Sequence, residues 1–406
     1  MKNLIVCCDG TGQKLDIQQT NVVRLLRLVD QSSAHAQVAY YDAGLGTTPD
    51  TGLRLSPWWK AQRLAGLAFG WGLGDQIASA YRFIVDRYEP GDALYLFGFS
   101  RGAFTIRAIA GLLHRLGVLR PEAKQLIPYA LELYKEHDSQ IIDPSLRGRL
   151  IDLRDDFRSQ FSRPGDVDIA FLGVWDTVKA FGVLRPRSFP HTRHNPSVKH
   201  VRHALSLDEH RRSFQATTWG GLDDFVERPA DQDVKEVWFG GDHSDVGGGH
   251  AAEESGLSWL SFDWMLGELR EHGRLRDGGV RLDAAQIRKW NDRRRKLEDS
   301  KSFMKRHDLR SLCWRFCDCV PRRELENAPQ RSRNKSSEIP RGLSVPLGWP
   351  RGPLRFTPTD GVRHFEDSRR NGKILVHESV RDIAGVTNRT IVGVQGITYV
   401  PTQTTS

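Results

Sequence analysis

One pentapeptide constrains this sequence more than any other segment: residues 98–102, GFSRG, lie between a strand-like and a helix-like run. The apolar residues 93–97 precede the pentapeptide, and residues 103–113 repeat apolar side chains at helical spacing. Glycine on either side of the serine leaves room where a strand and a helix crowd together, so that a sharp turn can expose Ser100 Oγ. The pattern predicts a nucleophilic serine, with the backbone N–H of Arg101 facing a developing oxyanion.

The rest of the sequence alternates apolar strand-like runs with helical periodicity. This alternation predicts an α/β fold with a doubly wound, mostly parallel sheet. The strand-like runs are 4–8, 38–41, 93–97, 168–175 and 234–239, and the helix-like runs are 21–28, 77–88 and 103–113.

The chain divides into three regions by composition. Residues 1–275 are predicted to form the catalytic domain. Residues 276–350 are predicted to be a basic, partly flexible insertion, because Arg and Lys crowd the stretch 288–341 without sustained apolar periodicity. Residues 351–406 are predicted to be a C-terminal addition with strand-like segments at 391–394 and 397–400. The pattern leaves open whether this addition completes the sheet or forms a separate cap.

Charge and cysteine content restrict the class of protein. The net charge of +9 suits an anionic membrane surface, nucleic acid or an acidic substrate. No zinc-finger, recognition-helix or RNA-binding pattern is present in the sequence, so no nucleic-acid partner is expected. The five cysteines form no disulfide framework, which indicates a reducing compartment, and Cys313, Cys317 and Cys319 match no usual zinc spacing. No apolar run suits a signal peptide or a membrane span, so a soluble, cytoplasmically made protein is expected.

Two further polar residues follow strand-like runs. Asp176 comes directly after residues 168–175, and His243 follows residues 234–239. The carboxyl ends of parallel strands share one edge of a sheet, so these residues and Ser100 are expected to lie close together. The chain order serine, aspartate, histidine is the order of α/β hydrolases. The sequence therefore predicts a triad in which His243 is the base and Asp176 the acid behind it.

Alternatives to this triad remain within the sequence. His243 is preferred as the base because it opens a stretch, 243–249, that contains three consecutive glycines and lets a ligand approach closely. Asp245 is the rival acid, but it lies only two residues from His243 and is interpreted as a support of this glycine-rich loop. The competing bases are His250, His364 and His377.

The loop after the first strand-like run is the expected source of a second oxyanion donor. The N–H of Gly10 or Thr11 would supply it, and Asp9 would anchor the loop. A simple Asp-Gly turn without a catalytic role explains the same residues equally well.

Six sequence blocks, read together, resemble a known family. They are residues 8–11, 20–25, 41–47, 98–103, 173–178 and 243–249. In this order they are similar to the type VI secretion phospholipase-effector catalytic domain, and the resemblance extends over residues 2–270. The sequence departs from the family pattern at Gly12-Gln13, where an aromatic residue and Asn are usual, and at His250, where Tyr is usual.

The resemblance implies an α/β hydrolase with Ser100 as nucleophile, Asp176 as acid and His243 as base, requiring no cofactor or metal ion. Some members of the family are antibacterial lipases that cleave phospholipid acyl esters. A phospholipase-like esterase working through an acyl-serine intermediate is therefore expected, with a lipid substrate and delivery by a secretion system without a signal peptide. The oligomeric state is not predicted.

Two other functions remain open: hydrolysis of soluble esters or thioesters, and a non-catalytic basic module that binds membrane or nucleic acid. The apolar, Trp-containing segment 53–71 would be an interfacial lid or would pack over the domain. The basic insertion is compatible with peripheral contact with an anionic membrane.

Overall fold

The computed structural model describes most of the first three quarters of the 406-residue chain and short segments after it. The described residues are 1–10, 19–44, 72–136, 141, 143–178, 189–211, 214–220, 229, 231–275, 278–300, 302–308, 322–323, 354–355, 374–381 and 397–400. Segment 53–71, His364 and the three cysteines 313, 317 and 319 lie outside these residues.

A parallel sheet forms the centre of the molecule. The strands are β1 (Asn3–Cys8), β2 (Gln37–Asp42), β3 (Ala93–Phe99), β4 (Ile169–Trp175), β5 (Val198–Ser206), β6 (Asp233–Phe239), β7 (Arg322–Arg323), β8 (Leu354–Arg355), β9 (Ile374–His377) and β10 (Ile397–Val400). Eight of them form one sheet in the order β10-β9-β6-β5-β4-β3-β1-β2, and every neighbouring pair in it is parallel. The short strands β7 and β8 pair with each other in antiparallel fashion.

Helices cover both faces of this sheet. They are α1 (Asn21–Leu28), α2 (Leu73–Arg87), α3 (Arg101–Leu116), α4 (Ile127–Lys135), α5 (Pro144–Phe161), α6 (His243–Gly247), α7 (Gly256–Leu275) and α8 (Ala284–Glu298). Leu4 and Val6 of β1 belong to the apolar cluster that includes residues of α2, α3 and α4. Ile5 and Cys7 of the same strand belong to a second cluster with α1 and α7. This alternation confirms the predicted doubly wound α/β fold.

Strand β5 was not anticipated from the sequence. It carries Lys199, His200, Arg202 and His203 among its apolar residues, unlike the continuous apolar runs of β3 and β4. The buried members have acidic partners on other elements: Arg202 Nε donates to Glu268 at 2.5 Å, and His203 Nδ1 lies 2.8 Å from a Glu236 oxygen. These contacts satisfy polar groups that a central strand could not otherwise bury.

Helix α8 and the residue before it pack against the catalytic domain. Trp290 of α8 stacks on Trp259 of α7 with ring centroids 4.2 Å apart, and Arg294 pairs with Asp263. The Asp283 N–H donates to the Leu28 carbonyl oxygen at 2.8 Å. Residue 275, the predicted domain border, therefore does not coincide with a break in packing.

The C-terminal addition contributes to the same sheet. Strand β9 pairs with β6 through Leu375 and Val376, and β10 pairs with β9. The predicted strand at 397–400 is thus present and extends the main sheet. In the part of the chain that the structure describes, no helix has the length and apolar character needed to cross a membrane.

Candidate active site

Ser100 occupies a strained turn between β3 and α3. Its φ of 59° and ψ of −123° lie outside the regions that L-residues prefer. The flanking glycines are required by contact: a Cβ on Gly98 would lie 2.7 Å from the Ala103 nitrogen, and one on Gly102 would lie 2.1 Å from the Cys8 carbonyl oxygen. Only glycine permits this approach, which places Ser100 at the carboxyl end of the sheet.

The turn is held by its neighbours in the sheet. The Ser100 N–H donates to the Trp175 carbonyl oxygen at 3.1 Å, which joins the ends of β3 and β4. The serine is 7% exposed. Arg101 begins α3, where the first N–H groups of a helix point out of its N-terminal end. That position suits the predicted role of the Arg101 N–H as an oxyanion donor.

Asp176 follows β4 and contacts the predicted base directly. Its Oδ2 lies 2.6 Å from His243 Nδ1, and its Oδ1 accepts a hydrogen bond from the Ser206 N–H at 3.0 Å. The residue has a φ of 39° and is fully buried. The carboxylate therefore has one oxygen fixed by β5, while the other orients the imidazole.

His243 is the first residue of α6, a five-residue helix, where the sequence predicted a glycine-rich loop. Asp242 caps this helix: its Oδ1 accepts from the N–H groups of Ser244 and Asp245 at 2.8 and 2.9 Å. Asp245 Oδ2 accepts from the Asp242 N–H at 3.1 Å, which completes a capping box. The predicted support of this segment by Asp245 is thus seen as a hydrogen bond within the cap.

The His243 ring is positioned by two phenylalanines. Phe99, the residue before Ser100, packs on it with centroids 4.6 Å apart, and Phe214 meets it edge-on at 5.0 Å. Nε2 is buried and has no hydrogen-bond partner among the described residues, Ser100 Oγ included. Because Nδ1 is engaged by Asp176, Nε2 is the nitrogen that remains to accept a proton.

The competing residues lie elsewhere or have other partners. His250 lies 3.5 Å from Asp245 and stacks on His307, and His377 is buried against Phe239 at 4.7 Å. His364 lies outside the described residues. Of the two candidate acids, Asp176 is the one that contacts His243.

The loop after β1 differs in part from the prediction. The Gly10 N–H donates to Asp9 Oδ1 at 2.8 Å, so this expected oxyanion donor is engaged within the loop. Gly10 does lie against the nucleophile, since a Cβ on it would come 3.2 Å from Ser100 Cβ. Thr11 lies outside the described residues.

Asp9 is buried and accepts hydrogen bonds from three groups. Thr20 Oγ1 and the Tyr41 hydroxyl donate to Oδ2, the latter at 3.1 Å, and the Gly10 N–H donates to Oδ1. Burial raises the pKa of Asp9 to about 6, although these hydrogen bonds act in the opposite direction. Asp9 thus ties β1, α1 and β2 together beside Ser100, as the predicted anchor would.

Several residues around the base were missed by the sequence reading. Glu209 Oε2 lies 3.4 Å from the His243 N–H and also pairs with Arg211 at 2.6 Å. The Arg211 guanidinium lies 3.7 Å from the centre of the Phe214 ring, which contacts His243. These residues fall between the predicted strands, where no periodic pattern marks them.

A comparison with family models matches residues 2–268 to the family described as "T6SS, Phospholipase effector Tle1-like, catalytic domain". Among curated proteins, the "Uncharacterized protein YEL023C" of Saccharomyces cerevisiae is 38% identical over 222 residues, which cover 53% of this chain and 32% of that protein. The chain thus spans about a third of the length of this relative.

Two solved structures are similar at low identity. One is the crystal structure of an uncharacterized protein from Pseudomonas aeruginosa, at 19% identity and a TM-score of 0.40, covering 75% of this chain and 49% of that one. The other is a structure of the Tle1 effector bound to the VgrG spike of the type 6 secretion system, at 18% identity and a TM-score of 0.34, covering 63% and 53%.

Proposed function

The chain belongs to the family of type VI secretion system Tle1-like phospholipase effector catalytic domains, and on that premise we propose that it is a serine esterase acting on phospholipid acyl esters. The observation that carries the serine mechanism is the 2.6 Å contact between Asp176 Oδ2 and His243 Nδ1, with Nε2 of the same ring unpartnered among the described residues. Family membership supports a lipid substrate and delivery by a secretion system; both are proposals for this chain.

The proposed reaction has two steps. Ser100 Oγ gives its proton to His243 Nε2 and attacks the acyl carbonyl carbon, and the ester C–O bond breaks as Nε2 passes the proton to the leaving alcohol. In the second step a water molecule gives a proton to Nε2 and its oxygen attacks the acyl-Ser100 carbon. The acid is released as the proton returns to Ser100 Oγ.

The charged states of this cycle have supports within the site. Asp176 stabilises the imidazolium that forms at His243 and holds its tautomer. The Arg101 N–H supports the oxyanion from the N-terminal end of α3, where the helix dipole is favourable for negative charge. A second donor would come from the loop at Thr11, because the Gly10 N–H is directed at Asp9.

Phospholipid vesicles test this function. The purified chain is incubated with vesicles of phosphatidylglycerol and phosphatidylethanolamine, and free fatty acid and lysophospholipid are quantified by mass spectrometry. A short-chain nitrophenyl ester and an acyl thioester are assayed in parallel. We expect equal amounts of the two lipid products and a rate at least about 10³-fold lower in Ser100→Ala.

The matched control is Ser32→Ala, which removes the hydroxyl of an exposed serine and should leave the rate unchanged. Turnover of the soluble esters without turnover of vesicles would favour the soluble-ester hydrolase over the phospholipase. No turnover of any substrate by a folded protein would contradict the esterase proposal.

A further inference from the structure

The backbone around Asp176 is held by strand β5. The Asp176 N–H donates to the Ala204 carbonyl oxygen at 2.7 Å, and Asp176 Oδ1 accepts from the Ser206 N–H at 3.0 Å. The next N–H along the chain, that of Thr177, donates to Nε2 of His203 at 3.1 Å. Asp176 has a positive φ of 39°, which is unfavourable for a residue other than glycine, so its conformation depends on such contacts.

The contact with Thr177 determines the protonation state of His203. A backbone N–H can only donate, so Nε2 must carry a lone pair, and the single proton of the neutral ring must be on Nδ1. Glu236 Oε1 lies 2.8 Å from Nδ1 and can accept a hydrogen bond from it. The same oxygen accepts from the Trp219 N–H at 2.7 Å, which fixes its position. The other tautomer would oppose two N–H groups at Nε2 and two lone pairs at Nδ1.

The surroundings of the ring favour its neutral form. His203 is fully buried, and Arg107 Nη2 of α3 lies 3.1 Å from Nδ1. Because Nδ1 carries the proton, this guanidinium does not donate to it and acts on the ring through its positive charge. Burial and Arg107 lower the pKa of His203, and Glu236 and Asp176 act in the opposite direction without outweighing them. These three groups face the ring from α3, β6 and the end of β4.

We propose that His203 is a positioning residue of the candidate active site: its neutral ring, protonated at Nδ1, holds the Thr177 N–H and thereby aims the Asp176 carboxylate at His243. It acts through Asp176 and takes no part in the proton transfers. Asp176 Oδ2 lies 2.6 Å from His243 Nδ1, so a small rotation of the backbone at Asp176 would lengthen or break this contact. The effect on turnover rests on the proposed function, whereas the protonation state of His203 and the aim of Asp176 do not.

Two substitutions separate the lone pair of the ring from its bulk. Glutamine carries an amide oxygen that can accept from the Thr177 N–H in place of Nε2, whereas leucine fills space and accepts nothing. In His203→Leu we expect kcat for a soluble ester to fall about 10²-fold with KM unchanged, because a displacement of about 1 Å can cost that much. In His203→Gln we expect kcat within about tenfold of the unaltered chain.

His200→Leu is the matched control, because His200 lies on the same strand and contacts Asp233, at 3.4 Å, instead of Thr177. It should keep the kcat of the unaltered chain. Circular dichroism of each variant establishes that it is folded. Unchanged kcat in folded His203→Leu would overturn the proposal. Equal losses in His203→Leu and His203→Gln would overturn it as well, because the lone pair would then have no role.

Nuclear magnetic resonance tests the proposal without turnover. In a chain labelled with ¹⁵N-histidine, the ring signals absent from His203→Gln belong to His203. We expect a proton on Nδ1, a lone pair on Nε2 and no titration between about pH 6 and 8. A proton on Nε2 would overturn the proposal.

The aim of Asp176 is read from the proton on His243 Nδ1, whose short hydrogen bond should give a far-downfield signal that Asp176→Asn abolishes. His203→Leu should lose or shift this signal, and His203→Gln and His200→Leu should keep it. An unshifted signal in folded His203→Leu would contradict the positioning role. The expected signals in a chain that hydrolyses no ester would support the positioning role and contradict only the proposed function.

Discussion

Ser100 lies in a turn and His243 lies on the short helix α6, and the chain stabilises these two segments by different means. The Ser100 turn is shaped by backbone contact: Gly102 lies against the Cys8 carbonyl oxygen so closely that no side chain fits between them. The His243 segment is held by carboxylates: Asp176 contacts the ring, Glu209 lies near the backbone N–H, and Asp242 caps the helix. Added volume should therefore disrupt the Ser100 turn, and loss of a negative charge should disrupt the His243 segment.

Asp176→Asn should have the largest effect, because it removes the negative charge that contacts the His243 ring. The amide preserves the shape and can still accept from the Ser206 N–H, but its NH₂ group can face His243 Nδ1 and favour the wrong tautomer. We expect kcat/KM to fall roughly 10⁴-fold, about 5 kcal/mol, with the protein still folded. Steady-state kinetics with a soluble ester measure this, and activity within tenfold of the unaltered chain would argue against the triad.

Gly102→Ala should have the next largest effect, because it adds a methyl group to the closely packed Ser100 turn. The new Cβ would lie 2.1 Å from the Cys8 carbonyl oxygen, which is backbone and cannot rotate away. We expect the free energy of unfolding to fall by about 3 kcal/mol in a denaturant titration.

Gly148→Ala is the matched control for this substitution. Gly148 lies in α5 with no atom within 4 Å of its Cβ position, so alanine should stabilise the helix by about 0.5–1 kcal/mol. If the two variants unfold at the same denaturant concentration, packing does not shape the Ser100 turn.

The difference between the two segments also explains which elements could be predicted from the sequence. Packing that demands glycine leaves a local signature, so the Ser100 turn and the apolar strands β3 and β4 could be recognised. Strand β5 could not, because Arg202 and His203 are compensated by Glu268 and Glu236, which are distant in the chain. Such partners follow from the fold and have no local pattern.

The sequence also contains signals for the helix at His243 and for the packing of α8. Asp242 and Asp245 have the spacing of a capping box, which predicts a helix start in place of a loop. Ile287 and Trp290 lie three residues apart where the Arg-rich stretch begins, and both pack against the core. The contact between His307 and Asp245 has no such signal, because the two residues are 62 positions apart and no sequence pattern predicts their approach.

Asp9 is a buried carboxyl group beside Ser100, so the Ser100 side of the molecule also has a group whose charge matters. Its pKa is raised from an ordinary 3.8 to about 6 by burial, so the folded state favours the protonated form. This contribution to stability is complete below pH 3.8 and is lost as the pH rises through about 6. The loss amounts to about 3 kcal/mol at most, from 1.36 kcal/mol per pKa unit.

Asp9→Asn should remove this dependence, since the amide stays neutral. The unfolding free energy of the variant minus that of the unaltered chain should rise between pH 4 and 6 and level off above, because other titrating groups cancel in the difference. Denaturant titrations at several pH values measure it. A difference that stays constant across this range would show that Asp9 does not titrate as proposed.

Covalent labelling tests the central claim, that Ser100 is a nucleophile activated by His243 and Asp176. The full chain is treated with an active-site serine phosphonate and analysed by intact mass, beside Ser100→Ala, His243→Ala, Asp176→Asn and the control Ser32→Ala. We predict one adduct on the unaltered chain and on Ser32→Ala, none on Ser100→Ala, and much slower labelling of the other two variants. Equal labelling of folded Ser100→Ala, or no adduct on the unaltered chain while a control hydrolase is labelled, would contradict the claim.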